Sequence, residues 1–185
     1  MRRCSRCWPA ARRVTQPEST SHDAGKADTG ESAHFRALER LYLSAPINQF
    51  FPSRLIIDEA GHSRIEFSLD ENFYHAAGAV HGTSYFKMLD DAAFYAANSL
   101  VSDRFLLTTA FNLLFTKPLT KGPVVAEGRW ISGKRRVYVA DARLIDAEGE
   151  EVARGTGTFM RSHIPLSSLT GYVLPKAKDD SSHHV

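Results

Sequence analysis

The stretch TSYFKMLDDAAFYAANSL, residues 83–100, decides how the rest of the chain is read. At about 100° per residue, Tyr85, Leu89, Ala93, Ala96 and Leu100 gather within roughly 80° of arc, an apolar stripe that predicts a core-facing helix. Asp90 lies about 100° from the centre of that stripe and Asp91 about 160°. Asp91 is therefore expected in solvent or against a partner subunit, and Asp90 at the flank, where a helix meets its neighbours. Dipole complementarity does not account for Asp90, which sits about two turns into the helix, beyond the reach of that effect. The chain enters the helix through Val80, His81 and Gly82. First-turn N–H groups have no intrahelical partner and carry partial positive charge, and a glycine there lets a ligand oxygen approach. Gly82 is either a candidate oxyanion donor or simply a flexible helix entry.

Outward from this helix the pattern is mostly strand. Upstream, SAHFRALERLYLSA places Phe35, Leu38, Leu41 and Tyr42 on one helical face, with Ser32 as the expected N-cap. RLIIDEAGHSRIEFSLDEN reads as a hairpin turning at Ala60-Gly61-His62, its second arm alternating Ile65, Phe67 and Leu69 against Arg64, Glu66 and Ser68. Downstream come four strand-like runs, at about 105–116, 123–132, 136–146 and 151–162, separated by the turn segments KPLTKGP, SGK and AEGE. In the last run Ala153, Gly155, Gly157 and Phe159 share a face, small enough for a helix or ligand to come close. One long helix among six mostly antiparallel strands buries itself most simply when the sheet curls around it. The expected fold class is therefore α+β, a curved antiparallel sheet wrapped on a central helix, which resembles the hot-dog arrangement.

Composition bounds the function. The chain has 185 residues, 43% hydrophobic and 24% charged, the balance of one globular domain with a real core. No apolar run approaches the roughly 20 residues of a membrane span, so no membrane role is expected. The net charge of +2 is uneven: Arg2, Arg3, Arg6, Arg12 and Arg13 crowd the start, leaving the remainder slightly acidic and arguing against nucleic acid as a partner. Residues 1–31 read as a disordered extension, with an organelle transit peptide or an over-long start as alternatives. Residues 32–165 read as the domain and 166–185 as a C-terminal tail. Cys4 and Cys7 form one CxxC without the second pair a structural zinc site needs, so no metal is expected. The body of the chain has no cysteine, which suits a reducing, cytoplasmic compartment.

One segment carries a specific resemblance. HAAGAVHGTSYFKMLDDAAFYAA resembles the signature of the PaaI-like acyl-CoA thioesterases of the hot-dog superfamily, roughly N-x2-G-x2-H-G-G, six residues, then D-x-A. Gly78, His81 and Gly82 match, and the acid nine residues after the motif histidine is Asp90. The resemblance implies hydrolysis of an acyl-CoA thioester to free acid and CoA, without a cofactor, by a homodimer or homotetramer whose sites lie at the dimer interface. It implies Asp90 as general base or nucleophile, the Gly82 N–H as carbonyl donor, His81 as a shaper of the pocket, and Thr108 as a water-orienting hydroxyl, with Thr109 beside it. Two departures stand out: His75 replaces the usual Asn, and Thr83 the second Gly. His75 either donates to the carbonyl as Asn would or is an ordinary surface histidine.

Lys134, Arg135 and Arg136, with Arg161 behind them, are candidates for the CoA phosphates, though solvated charge is the ordinary fate of each. Phe86, with Tyr85, Phe94 and Phe111, is a candidate acyl contact or plain core. Within the same fold, a hydratase or dehydratase acting on acyl thioesters would pair His75 or His81 with Asp90, and a non-catalytic acyl-CoA-binding module is a third possibility.

Overall fold

The computed structural model describes residues 30–175. The arginine-rich start, Cys4 and Cys7, and the end of the expected tail lie outside the described residues. Two helices and six strands follow one another: α1 (Gly30–Ser44), β1 (Ser53–Ile56), β2 (His62–Leu69), α2 (Gly82–Asn98), β3 (Arg104–Phe115), β4 (Gly122–Ser132), β5 (Val137–Ile145) and β6 (Glu151–Pro165). The strands form one sheet in the order β1-β2-β4-β5-β6-β3, every neighbour antiparallel. The curled sheet wraps α2, as the alternation and helix stripe anticipate.

The helix comes close because the sheet is scooped out beneath it. A Cβ on Gly128 of β4 would lie 2.0 Å from the Ala92 carbonyl oxygen and 2.8 Å from Ser63 Oγ. Ser63 on β2 donates to that same oxygen at 2.6 Å. Ala92, Ala93, Ala96 and Ala97 keep this part of the helix slim while favouring helical backbone. The small row on β6 works differently from expectation: the space above Gly155 and Gly157 is taken by the Phe111 and Phe159 rings, not by helix backbone.

The ends of α2 are fixed by side chains. His81 is the N-cap, its Nδ1 accepting from the Thr83 N–H at 3.1 Å. Asn98, fully buried, donates to Val101 O at 3.1 Å and Arg104 O at 3.2 Å, and accepts from Leu106 N at 3.0 Å, turning the chain directly into β3. The helix thus stops before Leu100, which is exposed rather than part of the core stripe.

Ser32 lies within helix α1 (Gly30–Ser44) instead of capping it. Its face of Phe35, Leu38 and Tyr42 is buried, and His34 joins them. His34 Nδ1 lies 2.7 Å from the Tyr172 hydroxyl and Nε2 3.2 Å from Asn98 O; burial lowers its pKa. Leu166 and Tyr172, past the expected domain boundary, pack into the same core.

Gly128→Ala places a methyl against helix backbone that cannot swing away. Urea unfolding should show a loss of about 3 kcal/mol, whereas Ser63→Ala, which removes one hydrogen bond, should cost about 1 kcal/mol.

Candidate active site

The residues ahead of α2 are held in a tight turn. Gly78 N–H donates to His75 O at 3.0 Å and His75 N–H to Ala79 O at 2.9 Å. Gly78 takes φ +78°, the left-handed region that glycine enters without strain. The turn sets the His75 ring against the His81 ring, centroids 6.5 Å apart. Both rings are committed in the same way: His75 Nδ1 accepts from Ala77 N–H at 3.0 Å, and His81 Nδ1 accepts from Thr83 N–H. An imidazole that accepts at Nδ1 carries its proton at Nε2, so each presents an Nε2–H donor outward.

Gly82 is the first residue of α2, and at that position its N–H has no intrahelical acceptor. A cavity of about 410 Å³ opens here, lined by His75, Val80, Gly82, Tyr85 and Phe115 among others. Phe115 Cζ would lie 3.1 Å from a Cβ on Gly82, so the glycine also makes room for that ring.

Two turns along α2, Asp90 is half-buried and faces β3. Thr108 Oγ1 donates to it, at 3.1 Å from Oδ1 and 3.4 Å from Oδ2. Thr109 is turned away, donating to Thr158 O at 3.0 Å. A bulge separates the two: Thr108 pairs with Phe159 and Ala110 with Thr158, leaving Thr109 as the extra residue. Burial, then the neighbouring Asp91 charge, push the Asp90 carboxyl up to about 6, opposed by the Thr108 hydrogen bond and by Lys87.

Asp91 is not in solvent. It is ion-paired with Lys87 one turn back, and it takes part with Ser53 in satisfying the Tyr42 hydroxyl. Lys87 Nζ also donates to Asn48 Oδ1 at 2.8 Å and lies 5.1 Å from the Tyr42 ring centroid. The far side of α2 is covered here by α1 and the 3-10 turn Pro46–Gln49, which the stripe geometry of α2 alone does not include. Burial raises the Asp91 carboxyl as well, with Lys87 holding it down. A cavity of about 250 Å³ lies between these elements and β3 and reaches Asp90, Asp91, Lys87 and Thr108.

The remaining candidates are apart from both cavities within one chain. Phe86 is exposed on α2 and meets Phe111 edge-on, centroids 5.5 Å apart. Lys134, Arg135 and Arg136 form the exposed β4–β5 turn, Arg135 at φ +68°. Arg161, whose N–H donates to Arg136 O at 2.8 Å, has its guanidinium paired with Asp103. Lys87, Asn48 and Tyr42 are the site neighbours that sequence reasoning missed. A Lys four residues before an Asp on one helix was the available signal. Among the described residues no group of three or more His, Cys, Asp or Glu is placed to hold a metal, and no helix is long and apolar enough to cross a membrane.

Residues 77–153, which include α2, β3, β4 and β5, match the family model of the thioesterase superfamily. A candidate esterase of Saccharolobus solfataricus is 31% identical over 102 residues, covering 55% of this chain and 68% of that protein. Among solved structures, the E. coli PaaI protein from the phenylacetic acid degradation operon is similar with a TM-score of 0.67 at 17% identity, covering 73% of this chain and 97% of that one. A Streptococcus mutans protein solved with acetyl CoA bound is similar with a TM-score of 0.55 at 20% identity, covering 60% and 88%. The fold is the hot-dog fold of these proteins.

A chemical step that needs ionised Asp90 should rise with pH through a midpoint near 6. Asp91→Asn removes a like charge and releases Lys87, both favouring the Asp90 carboxylate, so the midpoint of the kcat/KM profile should move down. Lys87→Met removes the cation and should move it up. Equal or same-direction shifts would contradict this electrostatic arrangement.

Proposed function

The chain belongs to the thioesterase superfamily, and we propose that it hydrolyses an acyl-CoA thioester to a free acid and CoA, with Asp90 as the reacting carboxylate. The observation that carries this reading is the setting of Asp90: a half-buried acid on a cavity, held by a hydroxyl donor instead of a cation, its carboxyl pushed up to about 6 by that burial. A base or nucleophile works best when its pKa lies close to the operating pH. Along the base route, Asp90 takes a proton from water as the water oxygen bonds to the carbonyl carbon. The C–S bond then breaks and the proton passes to the departing thiolate. Along the nucleophile route, the carboxylate attacks the carbonyl carbon and the C–S bond breaks, releasing CoA thiolate. Water then hydrolyses the mixed anhydride, which returns the Asp90 carboxylate, frees the acid and supplies the proton that the thiolate takes up. In both, negative charge builds on the carbonyl oxygen and needs a donor already in place.

Gly82 N–H is the proposed donor, seconded by the Nε2–H of His75, with His81 holding the helix entrance in shape. Gly82 and Asp90 of one chain cannot serve one carbonyl: eight residues of helix separate them by about 12 Å along the axis. A site that uses both draws them from two copies. The free edge of β3 is suited to that pairing, because FLLTTAFNLLF, residues 105–115, carries no charge and Leu107, Leu114 and Phe115 are exposed on it. A long uncharged edge strand is normally covered. We therefore place the active sites at an interface formed by two antiparallel β3 strands, in a dimer or in a tetramer of such dimers. Phe86, exposed beside Phe111, would lie against the substrate there. Lys134, Arg135 and Arg136 would meet the CoA phosphates at the rim.

Thiol release should be measured across acyl-CoAs and aryl-CoAs. Asp90→Asn should lower turnover by at least about a hundredfold with unchanged melting and oligomeric state. Hydration of crotonyl-CoA in place of thiol release would replace this reading with a hydratase, and tight binding of all substrates without turnover would replace it with a binding module. Leu114→Lys, a charge on the uncharged edge, should shift sedimentation towards monomer and abolish activity with it. An active monomer would refute the two-copy site.

A further inference from the structure

The 250 Å³ cavity beside Asp90 has three walls of different origin. Helix α2 supplies Asp90, Asp91 and Phe94, and β3 supplies Leu106, Leu107 and Thr108. The third wall comes from the N-terminal arm: Tyr42 of α1, then Ala45, Ile47 and Asn48 at and in the 3-10 turn. The first two walls fall inside the segment shared with the thioesterase superfamily, residues 77–153, and the third falls wholly outside it.

This inference rests on the reading of Asp90 as the reacting carboxylate. A thioester placed with its carbonyl at Asp90 brings either its acyl group or its CoA arm to the mouth of this cavity. Size and charge decide between them. The cavity holds two carboxylates and one ammonium, Lys87, so it repels the phosphates of CoA. It is also too small for the nucleotide arm, while its β3 and Phe94 surfaces are apolar. An apolar cavity of about 150 Å³ accommodates benzene, so one of about 250 Å³ accommodates roughly ten carbon atoms.

We propose that this cavity is the acyl-binding pocket, that it takes compact apolar acyl groups of at most about ten carbons, and that Ala45 and Ile47 of the N-terminal arm set the length accepted. These two side chains are suited to the task because neither is held in the core. Ala45 is half-buried and Ile47 exposed, on a short turn between α1 and β1. A change of side chain there alters the volume of the cavity without displacing α2 or β3, which carry the reacting groups. Each methylene gained or lost in such a pocket is worth about 10- to 200-fold in specificity.

The test is the ratio of kcat/KM values along a straight-chain series from acetyl- to palmitoyl-CoA, for the full-length wild type, Ala45→Leu and Ile47→Ala. Binding of the same series to Asp90→Asn is measured by calorimetry. Wild type should peak at or below about ten carbons and fall by at least about tenfold by palmitoyl-CoA. Ala45→Leu fills the pocket and should move the peak to shorter chains; Ile47→Ala opens it and should move the peak to longer ones. A wild-type profile that stays flat to palmitoyl-CoA, or two variants that both keep the wild-type peak, would overturn the assignment. Thiol release with such an indifferent profile sinks the pocket alone. Absence of thiol release with length-limited binding sinks the hydrolytic reading and leaves the pocket standing.

Discussion

Helix and sheet meet backbone against backbone: the Ala92 carbonyl of α2 lies directly over Gly128 of β4 and takes a hydrogen bond from Ser63 of β2. Nothing larger than a hydrogen fits on Gly128, so the helix is seated at one depth and one position along the sheet. Asp90 and Asp91 immediately precede this seat. Their placement follows from it, as does the path of β3, which Asn98 starts directly beneath the end of the helix. The bulge at Thr109 then turns Thr108 towards α2, where it meets Asp90.

That seating separates two identical carboxyl groups by environment. Both are raised by burial and both line the same cavity, but Asp91 is given Lys87 as a counter-ion, whereas Asp90 is given a threonine hydroxyl. The ammonium is engaged by Asp91 and Asn48, so Asp90 feels it only weakly and feels the Asp91 charge more. A carboxyl raised by burial without a cation of its own is suited to proton transfer near neutral pH. The proposed division of labour between neighbours one residue apart rests on this asymmetry.

Much of the fold was legible from local pattern. Alternation on β2, turn residues between the later strands and the apolar stripe on α2 each encode a period, and a period survives in the sequence whatever packs against it. The misreadings have a common cause. Leu100 continues the stripe arithmetically, yet Asn98 finds three backbone partners beyond the helix and ends it. Asp91 looks solvated only if α2 is considered with the sheet alone; α1 and the Pro46–Gln49 turn cover that side. Gly155 and Gly157 look like room for a helix, and two phenyl rings use the room instead.

The sequence by itself determined the elements, the curled α+β sheet around one helix, and the segment His75–Asp90 as the place to look. These depend on residue type and spacing along a single chain. Only the tertiary structure decided what surrounds each acid, which threonine turns towards Asp90, and that the N-terminal arm walls the adjoining cavity. Those are contacts between residues as far apart as Asn48 and Lys87, or Asp90 and Thr108. A one-dimensional pattern holds no record of such pairs, because burial and charge pairing arise only once the sheet has closed on the helix.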